Sequence, residues 1–409
     1  MKSPIAVLCL LWSLAISQAQ TFTLSVQNGY GSGQYAAGDT VHIWAQEDPS
    51  GDVFYTWNGD YNLLDYRQNW HTTLVMPARN VTVSAQFESL PAGITANSEM
   101  IPVPGHQVQV TYALPPNMKG AVWLFNGKNG RGSAWFDNKE KLDYVRALLL
   151  RQYGVIAMDS EEVSLQNDLD NSGEFAFYLT PDTLNNKDLV NVRAVRDHLE
   201  DRGLLPTGTV YAASGFSSGA AFSEVLAAAL GWRASLSHNT PGIDYIVQNA
   251  FTPHYQNNAV NDNGPNVGEE GNVSAYADYL TYQNRGVCSK WILQEEQPIY
   301  PERFARVEGI SVERSRLLFT AMKAAGLLTS DNYQKNTPSD IEAQYEANPA
   351  AFASVFQGLS AAQISQMFDQ LGAAYAVHAF RSDYNGTAIQ FLDKLCNPQT
   401  SYKLTVQNG

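Results

Sequence analysis

At 409 residues, with 44% hydrophobic and 11% aromatic residues, the chain is long enough for two or three domains and a sizeable core. A formal net charge of −14 leaves no basic stripe to neutralise phosphates, which excludes nucleic acid as a partner and suits a soluble monomer. The 3 cysteines are too few for a metal cage.

Met1-Lys2 is a short positive start, residues 5–16 are apolar, and Ser17-Gln18-Ala19 is a small-x-small site. This pattern predicts a secretory signal peptide over 1–19, cut after Ala19, and so an extracellular or cell-surface protein. The apolar run is short for a membrane span, and no later stretch of about 18 apolar residues exists. Cys9 leaves with the leader. Cys288 and Cys396 remain, and in an exported chain such a pair is expected to form a disulfide.

Residues 20–90 read as all-β. Segments 22–26, 40–45 and 81–87 alternate apolar and polar, and turn residues such as Asn28-Gly29 separate them. Short strands of this kind predict a small sandwich. The pattern Leu24-x-Val26-x-Asn28-Gly29, Gly38-Asp39-Thr40-Val41, Phe54-x-x-Trp57, Met76-Pro77 and Asn80-Val81-Thr82-Val83 resembles the β-repeat modules of bacterial surface and secreted proteins. Residues 403–409 match 23–29 at five of seven positions, so a second copy is expected to begin at about 402, with 402–409 its start. Trp44, Trp57, Trp70, Tyr55, Tyr61 and Tyr66 form either the core of this module or a sugar-stacking surface.

Residues 97–400 alternate strands and helices. Strands are predicted at 107–112, 121–125, 154–159, 209–213, 232–237, 289–294 and 373–377. Helices are predicted at 139–153, 191–199 and 222–230. Such alternation predicts an α/β fold, a mostly parallel sheet with helices on both faces. Chemistry in such sheets sits at the carboxyl ends of the strands. Residues 242–288, rich in Asn and Gly, read as a long polar loop or lid; 331–371 read as an amphipathic helical insertion between the sheet and His378.

The strand 209–213 runs directly into Gly215-Phe216-Ser217-Ser218-Gly219, and an alanine-rich helical pattern follows. A strand that turns sharply into a helix lifts the central serine off the sheet as a nucleophile. A base must follow. His378, beyond the last predicted strand and before the last helix, is the candidate; His238 and His254 are rivals, and His42, His71, His106 and His198 read as structural.

On the Gly215–Gly219 elbow and on His378 in its His-Ala-Phe setting, residues 97–400 resemble α/β-hydrolases, nearest to secreted esterases and polyester depolymerases. The resemblance implies an acid before the histidine, in a Gly-x-x-Asp-Pro-x-x-Pro setting. The matching place here reads Gln294-Glu295-Glu296-Gln297-Pro298, with Gln297 where the aspartate belongs. Glutamine cannot stabilise an imidazolium as an anion does. Glu296 is therefore the expected acid and Glu295 the next. The oxyanion donors are expected to be the backbone N–H of Ser218 and those of the glycine-rich loop at Gly127-Lys128. The implied activity is hydrolysis of small or polymeric carboxylic esters through an acyl-enzyme, with no metal or cofactor. The alternatives are a serine peptidase on the same fold and a non-catalytic adhesion or binding protein with a decayed hydrolase domain.

Overall fold

The computed structural model describes residues 20–264 and 267–396. The expected leader and the expected repeat start at 402–409 lie outside the described residues.

The N-terminal module is a sandwich of two small sheets. Strands β1 (Thr21–Gln27), β3 (Gly33–Ala36), β5 (Val53–Gly59) and β7 (Val81–Glu88) form one, in the order β3-β1-β7-β5. Strands β2 (Gly29–Tyr30), β4 (Thr40–Ala45) and β6 (His71–Val75) form the other. The two-residue period sends Leu24, Val26, Ile43, Val81 and Val83 inward, onto a completely buried Trp57.

The larger unit is built on β8 (Ala96–Val103), β9 (His106–Ala113), β10 (Gly120–Phe125), β11 (Tyr153–Met158), β12 (Tyr211–Phe216), β13 (Ser235–His238), β14 (His254–Ala259) and β15 (Ser289–Gln294). They form one sheet in the order β15-β14-β13-β12-β10-β11-β9-β8. β9 runs antiparallel to both its neighbours, β8 and β11; the pairs from β11 through β15 are parallel. β10 and β11 are buried along their whole length, as a parallel sheet covered on both faces requires. One apolar layer gathers on Trp123, Phe125 and Phe222, the other on Trp135, Tyr144 and Phe391. Cys288 and Cys396 are joined, with Cα atoms 5.5 Å apart, tying the foot of β15 to the end of the last helix.

Two expected elements differ. Residues 242–288 are not one long loop: among the described residues they contain a short helix (Asp244–Asn249), the sheet strand β14 and a long helix (Gly268–Asn284). β14 reads His-Tyr-Gln-Asn-Asn-Ala, so its full burial has no apolar signature. The predicted strand at 373–377 is instead the end of the helix Ala361–Tyr375, closed by Ala376 in the left-handed conformation. A short alanine-rich apolar run does not distinguish strand from helix, and alanine favours helix. The helical character expected for 331–371 is present, and these helices pack with residues 299–328 around a separate cluster of Phe304, Leu318, Ile341 and Leu371.

The module is fastened to the larger unit through buried polar contacts. Trp70 Nε1 donates to Ser382 Oγ at 3.1 Å, and Trp44 Nε1 to Gln297 Oε1 at 3.2 Å. Asp383 meets His71 Nδ1 at 2.9 Å and accepts from Gln297 Nε2 at 2.6 Å. Trp44, Trp57 and Trp70 are thus core and seam residues, closed to sugar stacking. Tyr66 likewise packs edge-on against Tyr384, and Tyr55 lies under Arg151.

Candidate active site

β12 ends in the turn that carries Ser217, and the helix Ser218–Leu230 starts at the next residue. Ser217 has φ 56° and ψ −128°, a conformation that a residue with a side chain rarely adopts. The turn closes because its flanks lack side chains. A Cβ on Gly215 would fall 2.1 Å from Gly219 O, and one on Gly219 would fall 2.3 Å from Asn126 O. Ser217 N donates to His238 O at 2.9 Å, anchoring the turn to β13.

His378 lies beyond the helix Ala361–Tyr375, and its Nε2 stands 2.9 Å from Ser217 Oγ. Its Nδ1 stands 2.9 and 3.0 Å from the two carboxylate oxygens of Asp262. Asp262 is fully shielded from solvent, whereas the His378 side chain keeps 18% exposure. Asp262 follows β14, accepts the Gly264 N–H at 2.8 Å, and so is fixed by its own loop. That loop is tied to the histidine loop in turn: Asn261 N donates to Ala376 O at 3.0 Å and Asn261 Nδ2 to Tyr375 O at 2.8 Å. Phe216 packs on the imidazole with centroids 5.0 Å apart.

Glu296, expected as the acid, does not meet His378. Glu296 accepts from Asn261 Nδ2 at 2.5 Å, one residue away from the carboxylate that meets His378. Glu295 is exposed, and its backbone oxygen accepts from Arg381. The physical reason is strand order: the carboxylate that meets His378 follows β14, one strand earlier than the β15 loop in which the acid was sought. Gln297, conspicuous in the sequence for not being an acid, bridges Trp44 and Asp383 across the module seam. His238 and His254 are buried strand residues that burial lowers to a pKa of about 3; they face Ser214 and Ser235, not Ser217.

The loop expected to supply oxyanion donors departs from expectation at Gly127. Gly127 comes close enough to Ser217 that a Cβ there would lie 3.0 Å from the serine Cβ. Yet the Gly127 N–H donates to Asn126 Oδ1 at 3.0 Å. The donors left are Lys128 N–H and Ser218 N–H, the latter in the first helical turn, where no intrahelical acceptor exists.

Glu162, Asp168 and Asp170 place carboxylate oxygens within 4.8 Å of one another. Each accepts backbone N–H groups of the same loop, Glu162 from Leu169 and Ala176, Asp168 from Ser172 and Gly173, Asp170 from Ser172.

An eight-stranded sheet of this order, with a serine elbow after β12 and helices on both faces, is the α/β-hydrolase fold, preceded here by a β-repeat module. Comparisons with known proteins give the particulars. Residues 21–91 match the sequence family described as the divergent InlB B-repeat domain. Among solved structures, the chain is similar to a CIB-like hydrolase from Thermoplasma acidophilum (15% identity, 50% of this chain and 88% of that one, TM-score 0.35). It is also similar to a serine hydrolase without lid from Xanthomonas campestris (18%, 51% and 88%, TM-score 0.35) and to a cold-adapted esterase from an Arctic intertidal metagenomic library (13%, 51% and 88%, TM-score 0.34). No curated protein matches the sequence.

Proposed function

We propose that the chain is a secreted serine hydrolase that cleaves carboxylic esters through an acyl-enzyme. The observation that carries this reading is the continuous relay Ser217 Oγ–His378 Nε2–His378 Nδ1–Asp262, with both links at hydrogen-bond length. Ser217 Oγ attacks the ester carbonyl carbon and passes its proton to His378 Nε2. The C–O bond to the alcohol breaks, and the alcohol leaves with that proton. Water then attacks the acyl carbon, gives a proton to His378, and Ser217 is regenerated. Asp262 holds the imidazole in one tautomer and stabilises the imidazolium. The N–H groups of Ser218 and Lys128 receive the negative charge on the carbonyl oxygen. Side chains and water complete the chemistry. The leader pattern, the repeat module and the Cys288–Cys396 pair support an extracellular setting.

The test uses p-nitrophenyl acetate and butyrate, peptide anilides, and a fluorophosphonate that labels activated serines. The wild type should hydrolyse the esters and take the label, and Ser217→Ala should do neither. Turnover of anilides without esters would move the reading to a peptidase. A wild type inert to all three sinks it.

Gly264→Ala probes the relay without substituting any of its members. A Cβ at Gly264 would fall 2.5 Å from His378 Nδ1, so the imidazole must move off Asp262. Displacements of about 1 Å at a reacting group cost on the order of 100-fold. We expect a kcat loss of that size, at a melting temperature close to the wild type, in parallel rate and thermal-unfolding measurements.

A further inference from the structure

Lys141, in the helix Lys139–Leu150, presents an unusual arrangement. Its Nζ donates to Asn126 Oδ1 at 2.7 Å and lies 5.6 Å from the ring centre of Trp135 and 5.4 Å from that of Phe216. Among the described residues it forms no ion pair; its one hydrogen-bond acceptor is a neutral amide. An ammonium partly withdrawn from water, with no carboxylate at ion-pair distance, is disfavoured. Burial accordingly lowers its pKa to about 8, with Asp369 on the helix Ala361–Tyr375 opposing the drop.

The amide that it holds is the root of the oxyanion loop. Asn126 is the first residue after β10 and is itself 6% exposed. Its Oδ1 accepts both Lys141 Nζ and Gly127 N–H, and its Nδ2 donates to Arg131 O at 3.1 Å. Asn126 therefore spans the loop from 127 to 131, and its backbone oxygen packs where Gly219 admits it against the nucleophile helix. An amide oxygen that accepts from an ammonium is held more firmly than one that accepts from a neutral donor.

We propose that Lys141 is a positioning residue for the oxyanion site. Acting through Asn126, it fixes the turn at Gly127 so that the next N–H, that of Lys128, is left for the developing oxyanion, and it adds positive charge beside the loop. The inference rests on the ester-hydrolase reading above. It concerns the transition state alone: a stiffer oxyanion loop stabilises the tetrahedral anion and leaves substrate docking unchanged.

The experiment compares wild type, Lys141→Met, Lys141→Arg and Asn126→Ser on p-nitrophenyl butyrate. It also measures inhibition by phenylboronic acid, which mimics the tetrahedral anion. Lys141→Met should lower kcat about 10- to 100-fold with KM within about twofold, since loss of a whole oxyanion donor costs about 100- to 1,000-fold. Boronate affinity should fall by the same factor. Lys141→Arg should recover most of the loss. Asn126→Ser should reproduce the kcat loss, and the double variant Lys141→Met/Asn126→Ser should be no worse than the poorer single one, because both act on one device. Should Lys141→Met fail to fold, Asn126→Ser and Lys141→Arg carry the test. Unchanged kcat, a rise in KM alone, or unaltered boronate binding overturns the proposal while Ser217→Ala still abolishes turnover. A wild type without ester turnover overturns the ester-hydrolase reading, and this proposal with it.

Discussion

Asp262→Asn is expected to lower kcat/KM on p-nitrophenyl esters by about 10⁴-fold, the scale seen when a triad carboxylate becomes an amide. The amide keeps the size and most of the packing of a side chain with no exposure, so the fold should hold. What it loses is the anion that faces His378 Nδ1 at 2.9 Å. With an amide NH₂ toward the ring, Nδ1 becomes the acceptor, and Nε2 carries the proton just where it must accept one from Ser217. Glu296→Gln is the paired control. Its carboxylate meets Asn261 and not the imidazole, so the rate should change by about twofold at most, in line with substitutions away from the reacting groups. Rates of both variants, measured beside thermal unfolding, decide the matter. If Glu296→Gln were the crippled variant, the acid would lie after β15.

That control also marks where the sequence stopped being readable. The elbow was legible because two local signals coincide: an apolar strand enters Gly215-Phe216-Ser217-Ser218-Gly219, and an alanine-rich helix leaves it. His378 was legible as a loop histidine before the final helix, although the segment ahead of it is helical and not a strand. The carboxylate that meets His378 was hidden by β14. All six of its residues are buried, yet Gln256, Asn257 and Asn258 occupy its centre. Buried amides abolish the apolar pattern by which strands are recognised, so the strand dissolved into a polar loop and Asp262 with it. Several of these amides keep buried atoms without a partner, among them Asn257 Oδ1 and Nδ2. The resembled Asp-Pro setting then drew the expected acid to the loop after β15, one strand beyond the loop that carries Asp262. The role of Gln297 was equally out of reach, since its partners lie on the module and beyond His378, at Trp44 and Asp383.

Arg306→Met should cause the largest loss of stability, about 3–5 kcal/mol in chemical unfolding at neutral pH, because it strands buried carboxylates. Arg306 sits under the module seam. Its guanidinium pairs with Glu140 and Asp143 at 2.8 Å each and with Glu47 of the module at 2.9 Å, and it lies 4.1 Å from the Trp70 ring centre. Glu140, at 2% exposure, also accepts from Ser382 N and Gln370 Nε2, so one carboxylate links the seam to the segment after His378. Burial pushes the Glu140 pKa up, but Arg306 and Arg303 outweigh it and hold the carboxyl at about 2, below the ordinary 4.5. A carboxyl lowered in the folded state stabilises it above its unfolded pKa. That contribution is lost as pH falls from about 4.5 to about 2. In Arg306→Met the sign reverses. Glu140 loses its main opposing charge and rises, and protonation relieves the unpaired anion. The gap between wild type and variant should therefore be widest near pH 7 and narrow progressively as pH falls below 4.5 toward about 2. A pH-independent gap would assign the loss to packing against Trp70 and not to charge. Either way the module is part of the folded chain's core: the charge that neutralises Glu140 also holds Glu47 and backs Trp70, and Trp70 in turn holds Ser382, four residues past His378.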